Sequence, residues 1–296
     1  MNPETSNFSS PVRIVMGLSA ALLTLSLSFP AWAQEPPLAR PGGADAALSR
    51  SSRSVLVRDL PLSDGCQRVL FYGPATNAHG VIIMFPGGTG DVGIERNGEI
   101  RHGDNFVVRT RDLWAQKGYG VLIVDAINHR SIRGKRDSPK YARVVHEILT
   151  YARSMTNAPL WIMGTSQGSI AAMLAASTAR PGEVAGVVLT ESVSVLGRSH
   201  ETVFDAHPET VRVPALVVAN RDDGCWVAPP TDAEAIAKAM SHTRADVLME
   251  EGGKTDSADA CSSRTPHGYW GIDDRVVDDI TRWMGGADAD RRGKAG

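Results

Sequence analysis

Residues 160–176 read LWIMGTSQGSIAAMLAA. The first four are apolar, the next six are small or polar with a glycine two positions either side of Ser166, and the rest are helix formers. An apolar strand that turns sharply into a helix is the repeating unit of a layered α/β protein. The same alternation recurs outward from it. Short apolar runs stand at 81–85, 121–124, 187–189, 215–218 and 247–249, and segments of helical period lie at 106–116, 141–153, 170–179, 232–240 and 272–284. Continuous apolar strands need cover on both faces, so the pattern predicts a mostly parallel sheet with helices on both faces. Two further runs, 54–57 and 69–72, separated by Pro61 and Asp64-Gly65, predict a hairpin ahead of it.

The composition is that of a globular chain. Of 296 residues, 42% are hydrophobic, and 31 Lys and Arg against 33 Asp and Glu leave a formal net charge of −2. That balance excludes a protein drawn as a whole to nucleic acid or to an anionic membrane. Three cysteines are too few for a disulfide-built scaffold or an all-cysteine zinc site, and no H-E-x-x-H spacing offers histidine ligands. Neither a metal nor another cofactor is expected. Arg13 precedes an uncharged, mostly apolar run over 14–29, followed by Ala31-Trp32-Ala33. Residues 1–33 therefore read as an export signal cleaved after Ala33, which predicts a periplasmic or secreted mature protein with no stable membrane insertion. Residues 34–52, rich in Pro, Gly, Ala and Ser, are expected to be a flexible lead-in, 53–284 the α/β domain, and the polar, glycine-rich 285–296 a disordered tail.

Ligands of open α/β folds bind beyond the carboxyl ends of the strands, so each candidate for chemistry should follow a strand. Gly164-Thr165-Ser166-Gln167-Gly168 does, and it has the form G-x-S-x-G. The glycines let a serine stand on a strained turn, and the helix start behind it supplies a backbone N–H and a positive dipole end. A serine nucleophile needs a base, and a carboxylate to orient the base. His267 lies after the last strand and just before the last helix; His200, His207 and His242 stand before a strand or in an insertion and read as solvated. The strand 215–218 runs into Ala219-Asn220-Arg221-Asp222-Asp223. Asp223, third after Asn220, fits a turn back toward the serine, with Asp222 as the alternative acid and a surface or turn-stabilising carboxylate as the reading for the other. The early strand 81–85 leads into Pro86-Gly87-Gly88-Thr89-Gly90. The N–H of Gly88, or of Thr89 one step on, together with that of Gln167, is the expected oxyanion hole. A phosphate cradle is the other use of such a loop, but neither G-K-[ST] nor G-x-G-x-x-G completes it.

Serine, acid and histidine in that chain order, preceded by Pro86-Gly87-Gly88, resemble the α/β-hydrolase fold over about residues 53–284. In its short core the chain is similar to the dienelactone-hydrolase and small-esterase branches. The resemblance implies a single domain, an eight-stranded sheet whose two early strands form an antiparallel edge, and Ser166, Asp223 and His267 as nucleophile, acid and base. Pro86 departs from the histidine that often precedes the oxyanion glycines in this family. About two dozen residues separate Thr190 from Pro214, so little or no cap over the site is expected.

Cys225 lies two residues after Asp223 and Cys261 six before His267, so a bond between them would tie the acid loop to the histidine loop, in a compartment that permits it. Cys66 is left as a buried free thiol near the hairpin. Trp226, Tyr269 and Trp270 flank acid and base as possible substrate contacts in an apolar subsite, or as ordinary packing. The basic run 129–136, HRSIRGKR, reads as a solvated loop, with recognition of an anionic substrate as its other use. The expected function is a serine hydrolase cleaving a small-molecule ester through an acyl-enzyme. The alternatives are an acyltransferase, a peptidase and a non-catalytic binding domain, the last disfavoured by a complete set of serine, base and acid.

Overall fold

The computed structural model describes residues 53–74 and 77–295. The expected export signal and lead-in lie outside the described residues. Strands β1 (Arg53–Leu62), β2 (Gly65–Pro74), β3 (Gly80–Phe85), β4 (Tyr119–Val124), β5 (Leu160–Thr165), β6 (Gly186–Thr190), β7 (Ala215–Asn220) and β8 (Ala245–Glu250) form one sheet in the order β1-β2-β4-β3-β5-β6-β7-β8. β1 pairs antiparallel with β2, and β2 with β4; all other pairings are parallel. The hairpin turns at Ser63-Asp64, since Leu62 is in register with Gly65.

Every residue of β3 through β7 is buried, which is why these strands read as unbroken apolar runs. The two-residue period of a strand splits them between two cores. Ile83, Ile162 and Val217 face one; Ile82, Met163 and Val218 face the other. Helices α1 (Phe106–Arg109), α2 (Arg111–Gln116) and α6 (Asp273–Ala295) cover the second with Phe106, Trp114 and Ile280. Helices α3 (Pro139–Met155), α4 (Gln167–Thr178) and α5 (Ala233–Ala239) cover the first with Ile148, Met173 and Ile236. α4 is buried from Gln167 to Ala176, so it presents no polar face.

Two expectations are corrected. The helix expected over 106–116 is broken at Thr110, whose Oγ1 donates to the Phe106 carbonyl at 2.6 Å and accepts from Trp114 Nε1 at 3.0 Å. The tail expected to be disordered is helical, since α6 runs on to Ala295. Ala287 packs against the second core and Asp290 pairs with Arg244 at 3.3 Å, which docks a helix-competent segment that would not hold alone. Between β6 and β7 only two short 3-10 turns occur, Val203–Ala206 and Pro208–Thr210, so no cap domain stands there. Among the described residues, no helix is long and apolar enough to cross a membrane.

Candidate active site

Ser166 stands alone between the end of β5 and the start of α4. Its φ of 52° and ψ of −125° are strained for a residue with a side chain. The turn is held by Ser166 N–H donating to the Thr190 carbonyl at 2.9 Å, and by the Ser166 carbonyl accepting from Ser169 N–H at 2.9 Å and Ser169 Oγ at 2.6 Å. Both flanking glycines are required by close approach. A Cβ on Gly164 would lie 2.1 Å from the Gly168 carbonyl oxygen, and one on Gly168 would lie 2.0 Å from that of Phe85. The Ser166 side chain does not cap α4, which leaves its Oγ 2.9 Å from His267 Nε2.

His267 is buried in a 3-10 turn, Pro266–Gly268, where Thr265 Oγ1 accepts its backbone N–H at 3.2 Å. Its Nδ1 is 2.7 Å from Asp223 Oδ2. Asp223 is buried just past β7, and its Oδ1 accepts from Cys225 N–H at 2.8 Å. Asp222 is exposed and accepts from Gly252 N–H at 2.6 Å, so it stabilises a surface turn. Of the three competing histidines, all are exposed. Serine, imidazole and carboxylate thus form one continuous hydrogen-bonded chain, able to draw a proton from Oγ and to stabilise the resulting imidazolium.

Ser166 and His267 open on a cleft of about 290 Å³ that Gly88 and Thr89 also line. A Cβ on Gly87 would lie 3.1 Å from Ser166 Cβ, so the glycine loop packs directly against the serine. Gln167 opens α4, where its N–H has no intrahelical acceptor and is available to an oxyanion. Cavities of about 630 and 420 Å³ lie elsewhere, the first lined by Pro214 and Arg244, which precede strands rather than follow them.

Three supporting residues carry no signal in the sequence pattern. Arg136 belongs to the basic run read as solvated, yet its side chain is fully buried, donating to the Gly88 carbonyl at 3.0 Å and the Pro86 carbonyl at 3.5 Å. Asp125, just past β4, fixes the far end of the same loop by accepting from the N–H groups of Val92, Gly93 and Ile94 at 2.8, 3.2 and 2.7 Å. Glu191, just past β6, is buried beside Asp223 and His267. Burial, and then the Asp223 charge, push its carboxyl well above the usual range.

Among the described residues, two sets of donors come close enough to face one ion, Asp91 with Asp125 and His129, and Glu191 with Asp223 and His267. In the first, Asp125 is already occupied by four backbone N–H groups, and in the second Asp223 and His267 are bonded to each other. Neither is a free coordination sphere.

The three aromatic residues read as substrate contacts or as ordinary packing stand outside the lining of the cleft. Tyr269 is fully buried, its hydroxyl donating to the Val218 carbonyl at 3.0 Å and its ring 4.9 Å from that of Phe106, so it belongs to the core. Trp270 donates to Asp256 at 2.6 Å and lies between Arg109 and Arg264. Trp226 is 63% exposed, and none of the three lines the cleft. Cys225 and Cys261 are bonded, whereas Cys66 is free but exposed in β2 and not buried.

No family model matches the sequence, and no curated protein matches it. Solved structures do. A dienelactone hydrolase from Anabaena variabilis is similar with a TM-score of 0.54 at 17% identity, over 79% of this chain and 97% of that one. Est1E from Butyrivibrio proteoclasticus, in a structure with ferulic acid bound, is similar with a TM-score of 0.56 at 15% identity, over 78% and 99%. XC6422 from Xanthomonas campestris, described as an α/β serine hydrolase without lid, is similar with a TM-score of 0.53 at 13% identity, over 78% and 95%. With the strand order above, these likenesses establish an α/β-hydrolase fold.

Proposed function

We propose that this chain is an exported serine hydrolase that cleaves a small carboxylic ester through an acyl-enzyme on Ser166. The observation that carries the proposal is the unbroken chain from Ser166 Oγ through His267 to Asp223, at 2.9 and 2.7 Å. As Oγ attacks the ester carbonyl, His267 Nε2 takes its proton, and Asp223 holds the Nδ1–H that the imidazolium needs. The carbonyl oxygen, now anionic, is received by Gln167 N–H and by Gly88 or Thr89 N–H. His267 then returns the proton to the leaving alcohol, and water attacks the acyl-enzyme by the same route. An uncapped cleft of about 290 Å³ suits a small acyl group, and the ferulic acid held by Est1E supports an organic acid of that class. The Cys225–Cys261 bond supports an oxidising compartment, as the sequence of residues 1–33 does.

The test is labelling of the exported protein with a fluorophosphonate, followed by hydrolysis of p-nitrophenyl acetate. Labelling at Ser166 is expected, with Ser166→Ala losing it and losing roughly 10⁴-fold or more in kcat while folding normally. A label carried by another serine overturns the assignment.

A further inference from the structure

Glu191 has no part in the mechanism above, yet it lies beside the Asp223–His267 pair. It directly follows β6 with a φ of 45°, and its N–H donates to the Val218 carbonyl at 3.1 Å, which fixes its backbone between β6 and β7. One oxygen of Glu191, one of Asp223 and a ring nitrogen of His267 all lie within 4.8 Å of one another, and all three residues are buried. Neither Glu191 oxygen has a donor in bonding geometry. The groups facing it are Asp223 from the loop after β7, His267 and Tyr269 from the loop before α6, and the Asn220 backbone. None is a lysine or arginine. Tyr269 has a single proton, and it is spent on the Val218 carbonyl.

The Asn220 backbone N–H and the Tyr269 hydroxyl lie near it but outside bonding geometry, and a buried carboxylate left so, facing a second carboxylate, is not a stable arrangement. One proton resolves it. The Tyr269 hydroxyl directs its proton to Val218 and Asp223 already serves Cys225 N–H and His267, so the proton falls to Glu191, and the Asp223 carboxylate is a stronger acceptor than the phenol oxygen. Asp223 has room, since Oδ1 takes Cys225 N–H, Oδ2 takes His267, and each oxygen has two acceptor sites.

We propose that Glu191 is a positioning residue that stays protonated and donates a hydrogen bond to Asp223, locking the plane of the carboxylate that orients His267. The proposal rests on the triad reading above. A third donor keeps Oδ2 on Nδ1–H while the imidazolium forms and is lost in each half-reaction. Glu191 is also kept from adding a second negative charge that would hold the base protonated.

Three proteins decide it: wild type, Glu191→Gln and Glu191→Ala, assayed with p-nitrophenyl acetate across pH and melted across the same range. Gln is neutral and keeps a donor, so its kcat should stay within threefold of wild type and the acid limb of its kcat/KM profile should not move. Ala should lower kcat tenfold or more with KM within twofold. If Glu191 carries a charge in the working enzyme, Gln removes an anion near the base and the acid limb moves to lower pH, which overturns the proposal. So does an Ala variant with unchanged kcat. Should Ala fail to fold, the melting arm decides. In the wild type the unfolded chain ionises Glu191 above about pH 4.3 while the folded chain keeps the proton, so stability drains away as pH rises. Gln has no such dependence, and the Tm difference in its favour should grow from pH 4 to pH 8. A constant difference overturns the proposal. That arm needs no activity, so its failure is separable from failure of the triad, which would show as no labelling of wild-type Ser166.

Discussion

Gly168 and Gly182 are both glycines, but the structure asks different things of them. Gly182 has a φ of +78° with nothing within 4 Å of its missing Cβ, so alanine there meets only backbone strain, about 1–2 kcal/mol. A Cβ on Gly168 meets the Phe85 carbonyl oxygen at 2.0 Å and that of Pro86 at 2.8 Å, both backbone atoms that cannot rotate away. Gly168→Ala should therefore cost more than about 3 kcal/mol in urea unfolding, or abolish folding. Equal losses at the two sites would show that the close packing of α4 on β3 is not what requires glycine. This contact also links fold to chemistry, because Phe85 leads into the oxyanion loop and any retreat of its carbonyl moves Gly87 away from Ser166.

The proposed oxyanion loop, residues 86–90, is an element held from behind. Its carbonyls at Pro86 and Gly88 are turned onto the buried Arg136 guanidinium, and across the planar trans peptide the Thr89 N–H that follows the Gly88 carbonyl points the opposite way. Arg136→Met should free those carbonyls and lower kcat by about tenfold or more, a fraction of the hundredfold to thousandfold cost of deleting an oxyanion donor. It also leaves Glu201, 1% exposed and 3.7 Å from Arg136 Nη1, buried without its cation, at a cost of about 3 kcal/mol. The double variant Arg136→Met, Glu201→Gln separates the two effects: much of the stability should return and kcat should not, as read by urea melts beside steady-state kinetics. Recovery of both would assign Arg136 to stability alone. The sequence reading of Ser166, Asp223 and His267 rests on loops that come after strands and hold few competitors, and the structure brings the three together. Arg136 was not legible, because HRSIRGKR has no period by which to distinguish the one inward arginine from its exposed neighbours Arg130 and Arg133. Glu191 was hidden similarly: an acid after an apolar strand looks solvated until its neighbours are placed.

At the scale of the molecule, the five strands β3 to β7 were legible because a fully buried strand needs no polar residues, and β1, β2 and β8 by their short β-branched or apolar runs, whereas the helical tail depends on docking partners distant in sequence, such as Arg244. The site is gathered from strand ends along the same sheet, and its least supported part is the histidine side. Residues 251–265, between β8 and the His267 turn, contain no helix or strand. Among the ties that hold this stretch and the His267 turn to the body are the Cys225–Cys261 bond, the Asn220 side chain, which donates to the Gly252 and Pro266 carbonyls at 2.9 and 3.1 Å, and Arg109, which pairs with Asp273 at 2.7 Å and donates to the Ser263 and Gly268 carbonyls. The bond spans 36 residues of chain, so by the loop-entropy account its removal costs about 3–4 kcal/mol, or roughly 10 °C in Tm for a domain of this size. Catalysis should suffer separately, because misplacing a catalytic group by about 1 Å can cost on the order of a hundredfold. Cys225→Ser with Cys261→Ser is thus expected to lower Tm and kcat together. Since Arg109 holds the same turn from the other side of the stretch, adding Arg109→Ala should lower kcat by more than the product of the separate effects, a coupling that a double-mutant cycle reads directly. If the cysteine variant keeps wild-type Tm and kcat, the bond holds nothing that packing does not. If the combined losses merely multiply, the bond and Arg109 act on His267 independently of each other.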